Sequence, residues 1–294
     1  MWWSGNALGF DIESDGKDPL DARIITAATV SLAKSDDTTV AQEMELMLKP
    51  EREIPAEATG VHGITTERAE REGTDRAPGI ALLAGTIADL AGPDRPLVGH
   101  NLSYDLTVLD RELRRLGTGF LICDPVTFGD RQVGLVIGNE EVTRFPVIDT
   151  YVLDKAVDRY RPGSRKLEAV ARHYGVAMAE GSAHGATADV VAALRIAITI
   201  ANRCAMPISA VADLYMDRRY PMKVAESFYD LGALALPDLH AAQVRWAREQ
   251  AAGLREHFIS QGKIEDAKTV DGSWPLRTLT DGVSPVETID TTLV

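Results

Sequence analysis

Near the start of the chain, apolar and polar positions follow the period of extended strands. Leu8-Gly9-Phe10-Asp11-Ile12-Glu13 reads as a strand that stops at the turn signal Ser14-Asp15-Gly16. Ile24 to Leu32 is apolar and β-branched and predicts a second strand; Met44 to Leu48 alternates and ends at Lys49-Pro50. Short strands joined by turns predict an antiparallel meander. The period then changes. Ile80, Leu83, Ile87 and Leu90 recur at helical spacing, as do Leu106, Leu109, Leu113 and Leu116 before Gly117. Pro96 to Gly99 is a short apolar strand between these helices, and Val147-Ile148-Asp149 predicts another buried strand. Ser164 is placed to cap a helix with the stripe Leu167, Val170, Ala171 and Tyr174, ended by Gly175, and a longer helix runs from about Ala186 to Arg203. Strands first, then helix alternating with strand, imply an α/β fold with a mixed sheet flanked by helices.

Two segments depart from this rhythm. Gln132 to Ile137 and Glu141 to Phe145 flank Gly138-Asn139, a tight-turn signal, so the stretch of about 121–146 reads as an inserted β-hairpin. After Cys204, Ala241 to Phe258 carries Val244, Ala247, Ala251, Leu254 and Phe258 on one helical face, and the chain from Gly262 onward is polar and punctuated by Pro and Gly. The expected organisation is a domain of residues 1–204 followed by a C-terminal extension of 205–294, helical and then extended.

Composition narrows the functional classes. Hydrophobic residues make up 45% of the 294, enough for an ordinary core. The net charge of −13 argues against a protein whose task is to coat DNA or RNA, because such binding rests on cationic contacts to phosphate. It leaves open an enzyme that grips a strand end through bound cations. Cys123 and Cys204 form neither a metal-type pair nor a disulfide framework, which fits a reducing, cytoplasmic setting. The N-terminus has no basic region followed by an apolar run, so no signal peptide is expected. Ala192 to Ala205 is too short and too charged to span a bilayer, so no membrane association is expected.

The chemistry lies in three short stretches. Asp11 and Glu13 stand two apart on a strand and so share a face; paired carboxylates repel unless protonated or bridged by a cation. Asp105 opens a helix just after the strand ending at Gly99, in the segment His100-Asn101-Leu102-Ser103-Tyr104-Asp105. His184-Gly185-Ala186-Thr187-Ala188-Asp189 puts Asp189 in the first turns of a helix whose small residues permit close approach to a sheet. Taken singly, each has a plain structural reading: a solvent-facing strand edge, a helix N-terminus stabilised by Ser103 or Asp105, an ordinary loop histidine. Taken together, four carboxylates at element ends are hard oxygen ligands suited to Mg²⁺ or Mn²⁺. Two such ions clamp the attacking and leaving oxygens of a phosphoryl transfer, and a nearby imidazole can take the proton of the attacking water.

Asp11-Ile12-Glu13, then Asn101-x-x-x-Asp105, then His184-x-Ala186-x-x-Asp189 resembles, in order and spacing, the three exonuclease motifs of the DEDDh family, which includes the DnaQ-like proofreading exonucleases. Val61-His62-Gly63-Ile64-Thr65 resembles a further short stretch of that family, and Ile148-Asp149-Thr150 the strand that follows its second motif. The resemblance covers roughly Ala7 to Arg203. It implies an RNase H-like fold with a five-stranded mixed sheet. It implies that Asp11, Glu13, Asp105 and Asp189 hold two Mg²⁺ or Mn²⁺ ions, Asp105 through water, and that His184 is the general base. Ile12, Glu13, His62 and Asn101 would then meet the terminal nucleotide of a 3' end.

The expected activity is 3'-5' hydrolysis of terminal phosphodiesters, with single-stranded DNA the favoured substrate and RNA or oligoribonucleotide ends the alternative. A non-catalytic adaptor for a DNA polymerase is the rival from another class. Three departures from the family pattern bear on substrate: Asp15 after the first motif, expected to weaken phosphate approach or face water; Tyr104 where Phe is common; and the hairpin insertion. The basic stretch Arg159, Arg161, Arg165, Lys166 reads either as a phosphate contact or as a solvated loop.

Overall fold

The computed structural model describes residues 2–35, 38–123, 132–178 and 185–277. The meander forms as the alternation predicts: β1 (Ala7–Ser14), β2 (Ile24–Ser35) and β3 (Thr38–Met47) pair antiparallel. β4 (Leu97–Gly99) and β8 (Val147–Asp149) then add in parallel, giving a five-stranded sheet in the order β3-β2-β1-β4-β8. β1 is therefore central. Its alternate residues serve two faces. Leu8, Phe10 and Ile12 are buried with α3 (Arg76–Leu90) and α4 (Leu102–Leu116); Ala7 is buried on the other face in the cluster that includes α7 (Ala186–Cys204).

α7 lies unusually close to β1. A Cβ at Gly9 would meet Val190 Cγ1 at 2.4 Å and Leu194 Cδ1 at 2.8 Å. The sequence pointed to small residues on the helix; the decisive small residue is on the strand.

Several short elements escape a periodicity reading. α1 (Ala56–His62) and α2 (Thr66–Glu72) have seven residues each, too few to display a helical stripe. α5 (Thr150–Val157) follows β8 directly, with the Asp149 side chain accepting the Tyr151 N–H as its cap. α6 (Leu167–Tyr174) has the expected stripe and ends at Gly175, but Ser164 Oγ accepts the N–H of Lys166, the residue just before the helix, and does not cap it.

The expected hairpin appears as β6 (Val133–Ile137) and β7 (Glu140–Phe145), turning at Gly138 with φ of 62°. It is larger than a hairpin. β5 (Gly119–Ile122) pairs with β6 to make a separate three-stranded sheet. Gly119 permits this, because a Cβ there would lie 2.2 Å from the Val136 carbonyl oxygen. Residues 124–131 of the insertion lie outside the described residues.

The C-terminal extension is woven into the same two hydrophobic clusters. It comprises α8 (Ile208–Leu214), α9 (Pro221–Ala233), α10 (Leu236–Ser260) and α11 (Ile264–Thr269). Val211, Phe228 and Leu239 are buried against the α7 face, and Val244 and Trp274 against the other. Of the stretch after Gly262, expected to be extended, the described part forms α11 and a strap whose Trp274 is 6% exposed. Residues 278–294 lie outside the described residues.

α10 also finishes the sheet. β8 is the last strand, so its outer backbone groups need partners. The Val147 N–H donates to His240 Nδ1 at 2.9 Å and the Asp149 N–H to Gln243 Oε1 at 2.8 Å. Gln243 Nε2 donates back to the Val147 carbonyl at 2.7 Å. Burial pushes His240 down to about 3, so its Nδ1 stays an acceptor. Two side chains one helical turn apart thus do the work of a neighbouring strand. No helix among the described residues is long and apolar enough to cross a membrane.

Gln243→Leu removes its two bonds to β8 while keeping volume, leaving the Asp149 N–H and the Val147 carbonyl buried without partners. The expected cost is on the order of 2 kcal/mol or more, read as a lowered urea midpoint with unchanged slope. An unchanged midpoint would show that water replaces the side chain at no cost.

Candidate active site

β1, α7 and α4 converge at the C-terminal end of the central strands. Asp11 and Glu13 project from the β1 face that meets α7, and α7 brings Asp189 to them in its first turn. Carboxylate oxygens of these three residues lie within 4.8 Å of one another. Asp105 stands beside them, 4% exposed, but is not part of that group. It faces the backbone of the strand: Asp105 Oδ1 accepts the Ile12 N–H at 3.2 Å, which fixes the residue between the paired carboxylates.

The electrostatics match the crowding. Burial, then the charges of Asp105, Asp189 and Glu13, raise Asp11 well above the usual carboxylate range. Burial and Asp189 raise Glu13 to about 7. Burial also raises Asp105, outweighing the Ile12 N–H that its carboxylate accepts. Three half-buried or buried acids that resist ionisation together form a strong seat for divalent charge. The donor set is all oxygen, a chemistry suited to hard divalent cations.

A cleft of about 750 Å³ opens over this cluster, lined by Asp11, Asp189, Val61, His100, Asn101, Tyr151 and the turn from Ser164 to Leu167. Asn101 adopts the left-handed conformation with φ of 66°, alone among the described non-glycine residues. Asp149 holds it there: Asp149 Oδ1 accepts the Asn101 N–H at 2.8 Å and the Tyr151 N–H at 3.0 Å. Asp149 Oδ2 in turn accepts Trp274 Nε1–H at 3.1 Å, so the C-terminal strap reaches the cleft rim through one buried carboxylate. The sequence offered Asp149 only as a strand end; its role as a hub depends on contacts more than ninety residues away.

The remaining expected site residues are placed less directly. Ile12 is 6% exposed and packs into the core cluster beneath the sheet, on the face opposite Asp11 and Glu13. His62 is 4% exposed and turned inward, its Nδ1 accepting the Ile64 N–H at 3.1 Å within its own turn; Val61 lines the cleft in its stead. His184 lies outside the described residues and directly precedes Gly185, the N-cap of α7. Asp15 neither faces water nor the cleft. It is 3% exposed and accepts the Arg23 N–H at 2.7 Å and Arg52 Nε at 2.6 Å, closing the turn after β1. The Tyr104 hydroxyl bonds Ser14 Oγ and the Gly16 carbonyl at the same turn.

The basic stretch is divided by its partners. Arg161 and Arg165 both bind Asp154, a buried carboxylate of α5. Burial alone would raise Asp154, but Arg161 and Arg165 overcome this and hold it below the usual range. The Arg165 carbonyl accepts from His100 Nε2 at 2.9 Å, which ties the turn to the cleft wall. Lys166 and Arg159 are exposed and make no ion pair among the described residues.

Comparison with known proteins agrees with this architecture. Residues 8–197 match the family RNase_T, described as "Exonuclease". A DNA polymerase III subunit epsilon-like protein of Rhodobacter capsulatus is 29% identical over 185 residues, 62% of this chain and 22% of that protein. E. coli Exonuclease I in complex with a dT13 oligonucleotide superposes with a TM-score of 0.51 at 18% identity, over 73% of this chain and 46% of that one. The zinc-bound form of an E. coli Exonuclease I complex with single-stranded DNA gives 0.50 at 20%, over 68% and 41%. The chain thus spans less than half the length of these relatives. At such identities the structures establish a shared fold, the mixed five-stranded sheet flanked by helices of the RNase H-like class.

Two outcomes follow from the crowded acids. Glu13 ionises near 4.5 when exposed and near 7 in the fold, so the folded state keeps a proton that the unfolded chain has shed between those values. Metal-free stability from this group is greatest below the lower value and is lost as pH rises through the upper one. The melting temperature without metal is expected to fall between about pH 5 and about pH 8, Mg²⁺ or Mn²⁺ to restore it mainly at the higher pH, and Glu13→Gln to flatten both trends. A pH trend and metal response identical in parent and Glu13→Gln would contradict this assignment. Gly9→Ala should force α7 off β1, lower stability by about 1–3 kcal/mol and weaken Mn²⁺ binding measured by calorimetry; unchanged binding would show that Asp189 is not set by this contact.

Proposed function

The chain belongs to the RNase_T exonuclease family, and from that premise we propose that it is a metal-dependent 3'-5' exonuclease that releases nucleoside 5'-monophosphates from strand ends. The observation that carries this reading is the meeting of Asp11, Glu13 and Asp189 within 4.8 Å at the floor of an open cleft. Repelling carboxylates gathered under an open cleft call for divalent charge between them.

The donor set fits two Mg²⁺ or Mn²⁺ ions, held by Asp11, Glu13 and Asp189, with Asp105 beside them. Such ions supply Lewis-acid charge to the phosphodiester under attack. The protein's own groups do the rest. Asp105 fixes the strand backbone at Ile12, so that the side chains on either side keep their common face. Asn101, held by Asp149, and Tyr151 form the wall against which a terminal nucleotide rests. His184, five residues before Asp189 on the segment leading into α7, takes the proton of the attacking water, a role an imidazole performs near neutral pH. The leaving strand takes a proton back as its new 3' hydroxyl.

Single-stranded DNA is the substrate we assign, the class of strand held in the Exonuclease I complex that shares this fold. The test is digestion of matched 3'-end-labelled DNA and RNA strands with Mg²⁺, Mn²⁺ or chelator. The parent should shorten DNA from the 3' end only with metal. Asp11→Ala and Asp189→Ala should abolish digestion while the fold persists, and His184→Ala should slow it by about 10²- to 10⁴-fold. Full digestion by Asp11→Ala would end the assignment, and faster digestion of RNA would transfer it to that substrate.

A further inference from the structure

The turn between α5 and α6 lines two cavities. Its later part, Ser164 to Lys166, forms a wall of the cleft over the carboxylates. Its earlier part, Asp158 to Tyr160, lines a separate pocket of about 360 Å³ whose other wall is the start of α9 and the residues before it: Arg218, Arg219, Tyr220 and Lys223. Tyr160 and Ser164 are four residues apart, so at full stretch the turn separates the two cavities by no more than about 14 Å.

The chemistry of this second pocket is distinctive for a chain of net charge −13. Four cations line it against one carboxylate, Asp158, and that carboxylate is matched by Arg218 at 2.9 Å. Arg159, Arg219 and Lys223 are exposed and form no ion pair among the described residues. Two aromatic rings stand beside them in water, Tyr160 at 81% exposure and Tyr220 at 55%. Rings so exposed add almost nothing to the core. The arginines lie near those rings, Arg159 at 5.9 Å from the centroid of Tyr160 and Arg219 at 5.1 Å from that of Tyr220. Neutralised Asp154 and Asp158 remove the acidic charge that would otherwise oppose a polyanion along the turn.

Free cations interleaved with exposed aromatic faces are what a single-stranded nucleic acid requires: charge for its phosphates and rings on which its bases stack. We propose that this pocket is a second binding site for the substrate strand, holding it upstream of the end that enters the cleft. Arg159, Arg219 and Lys223 contact phosphates there, and Tyr160 and Tyr220 take bases. The site is built jointly by the α5–α6 turn and the C-terminal extension, which gives the extension a role in substrate grip. The direction of the strand rests on the exonuclease reading; the binding itself does not.

The experiment uses the full chain with chelator present, so that no strand is cut. Fluorescence anisotropy follows labelled oligo-dT and oligo-U of about 20 nucleotides across a salt series, for the parent, for Arg159→Ala/Arg219→Ala/Lys223→Ala, and for Tyr160→Ala/Tyr220→Ala. All substituted residues are exposed, and melting curves establish that each variant folds. The triple variant should bind at least about tenfold more weakly, with a log–log salt slope shallower by about 2. The tyrosine variant should bind more weakly at an unchanged slope. Loss on either sugar supports the site, and the stronger loss identifies the preferred strand. Parent-like affinity and slope in both variants would overturn it. So would equal, patch-dependent binding of a poly-glutamate peptide with no effect of the tyrosines, which would mark a dock for an acidic protein. Patch-dependent binding by a parent that cuts nothing when Mg²⁺ is restored would sink the exonuclease reading and leave this one standing.

Discussion

The site depends on like charges packed together on one face of the central strand. Asp11, Glu13 and Asp189 are within 4.8 Å of one another; Asp189 and Glu13 make Asp11 harder to ionise, and Asp189 does the same to Glu13. A fold tolerates that only if the surrounding framework is rigid enough to refuse relaxation. The framework here is a central strand clasped on both faces. On one face Gly9 lets α7 descend until its first turn delivers Asp189. On the other, Asp105 grips the strand backbone at Ile12. The repulsion is a stored demand for counter-charge, and cation binding and the chemistry it permits are ways of meeting that demand.

Much of this was legible in the linear chain, and the limits are instructive. The period of two put Asp11 and Glu13 on one face, and the structure keeps them there. The same period sends Ile12 to the opposite face, into the core, so an expected substrate contact there competes with the alternation itself. Asp189 was readable as a helix-start acid, but its approach depends on Gly9, about 180 residues earlier, and pattern along one segment carries no trace of that. His62 sat in a motif-like stretch, yet nothing local announces that the ring turns inward while Val61 faces the cleft. The basic turn read as one block of charge. Only the fold separates Arg161 and Arg165, committed to Asp154, from the uncommitted Arg159 and Lys166.

The extension was the least legible part. Its buried residues are scattered over several helices and the strap, among them Val211, Tyr215, Phe228, Leu239 and Trp274. Trp274 reaches Asp149, and through it the strained backbone of Asn101, while His240 and Gln243 complete the hydrogen bonds of β8. Long-range partners of this kind are side chains reaching backbone groups, which leave no periodic signature. The consequence is physical continuity between the C-terminal strap and the cleft wall.

The helical cover on β8 also decides what the sheet can do with other chains. That edge offers no open ladder to a foreign strand, because side chains already occupy its backbone groups. The opposite edge, β3, is uncovered along much of its length, but it presents Glu43 and Glu45 to solvent. A second copy pairing there would bring carboxylates of the same sign alongside one another. One border is closed by hydrogen bonds and the other carries like charge, two devices that disfavour the runaway stacking to which open sheets are prone.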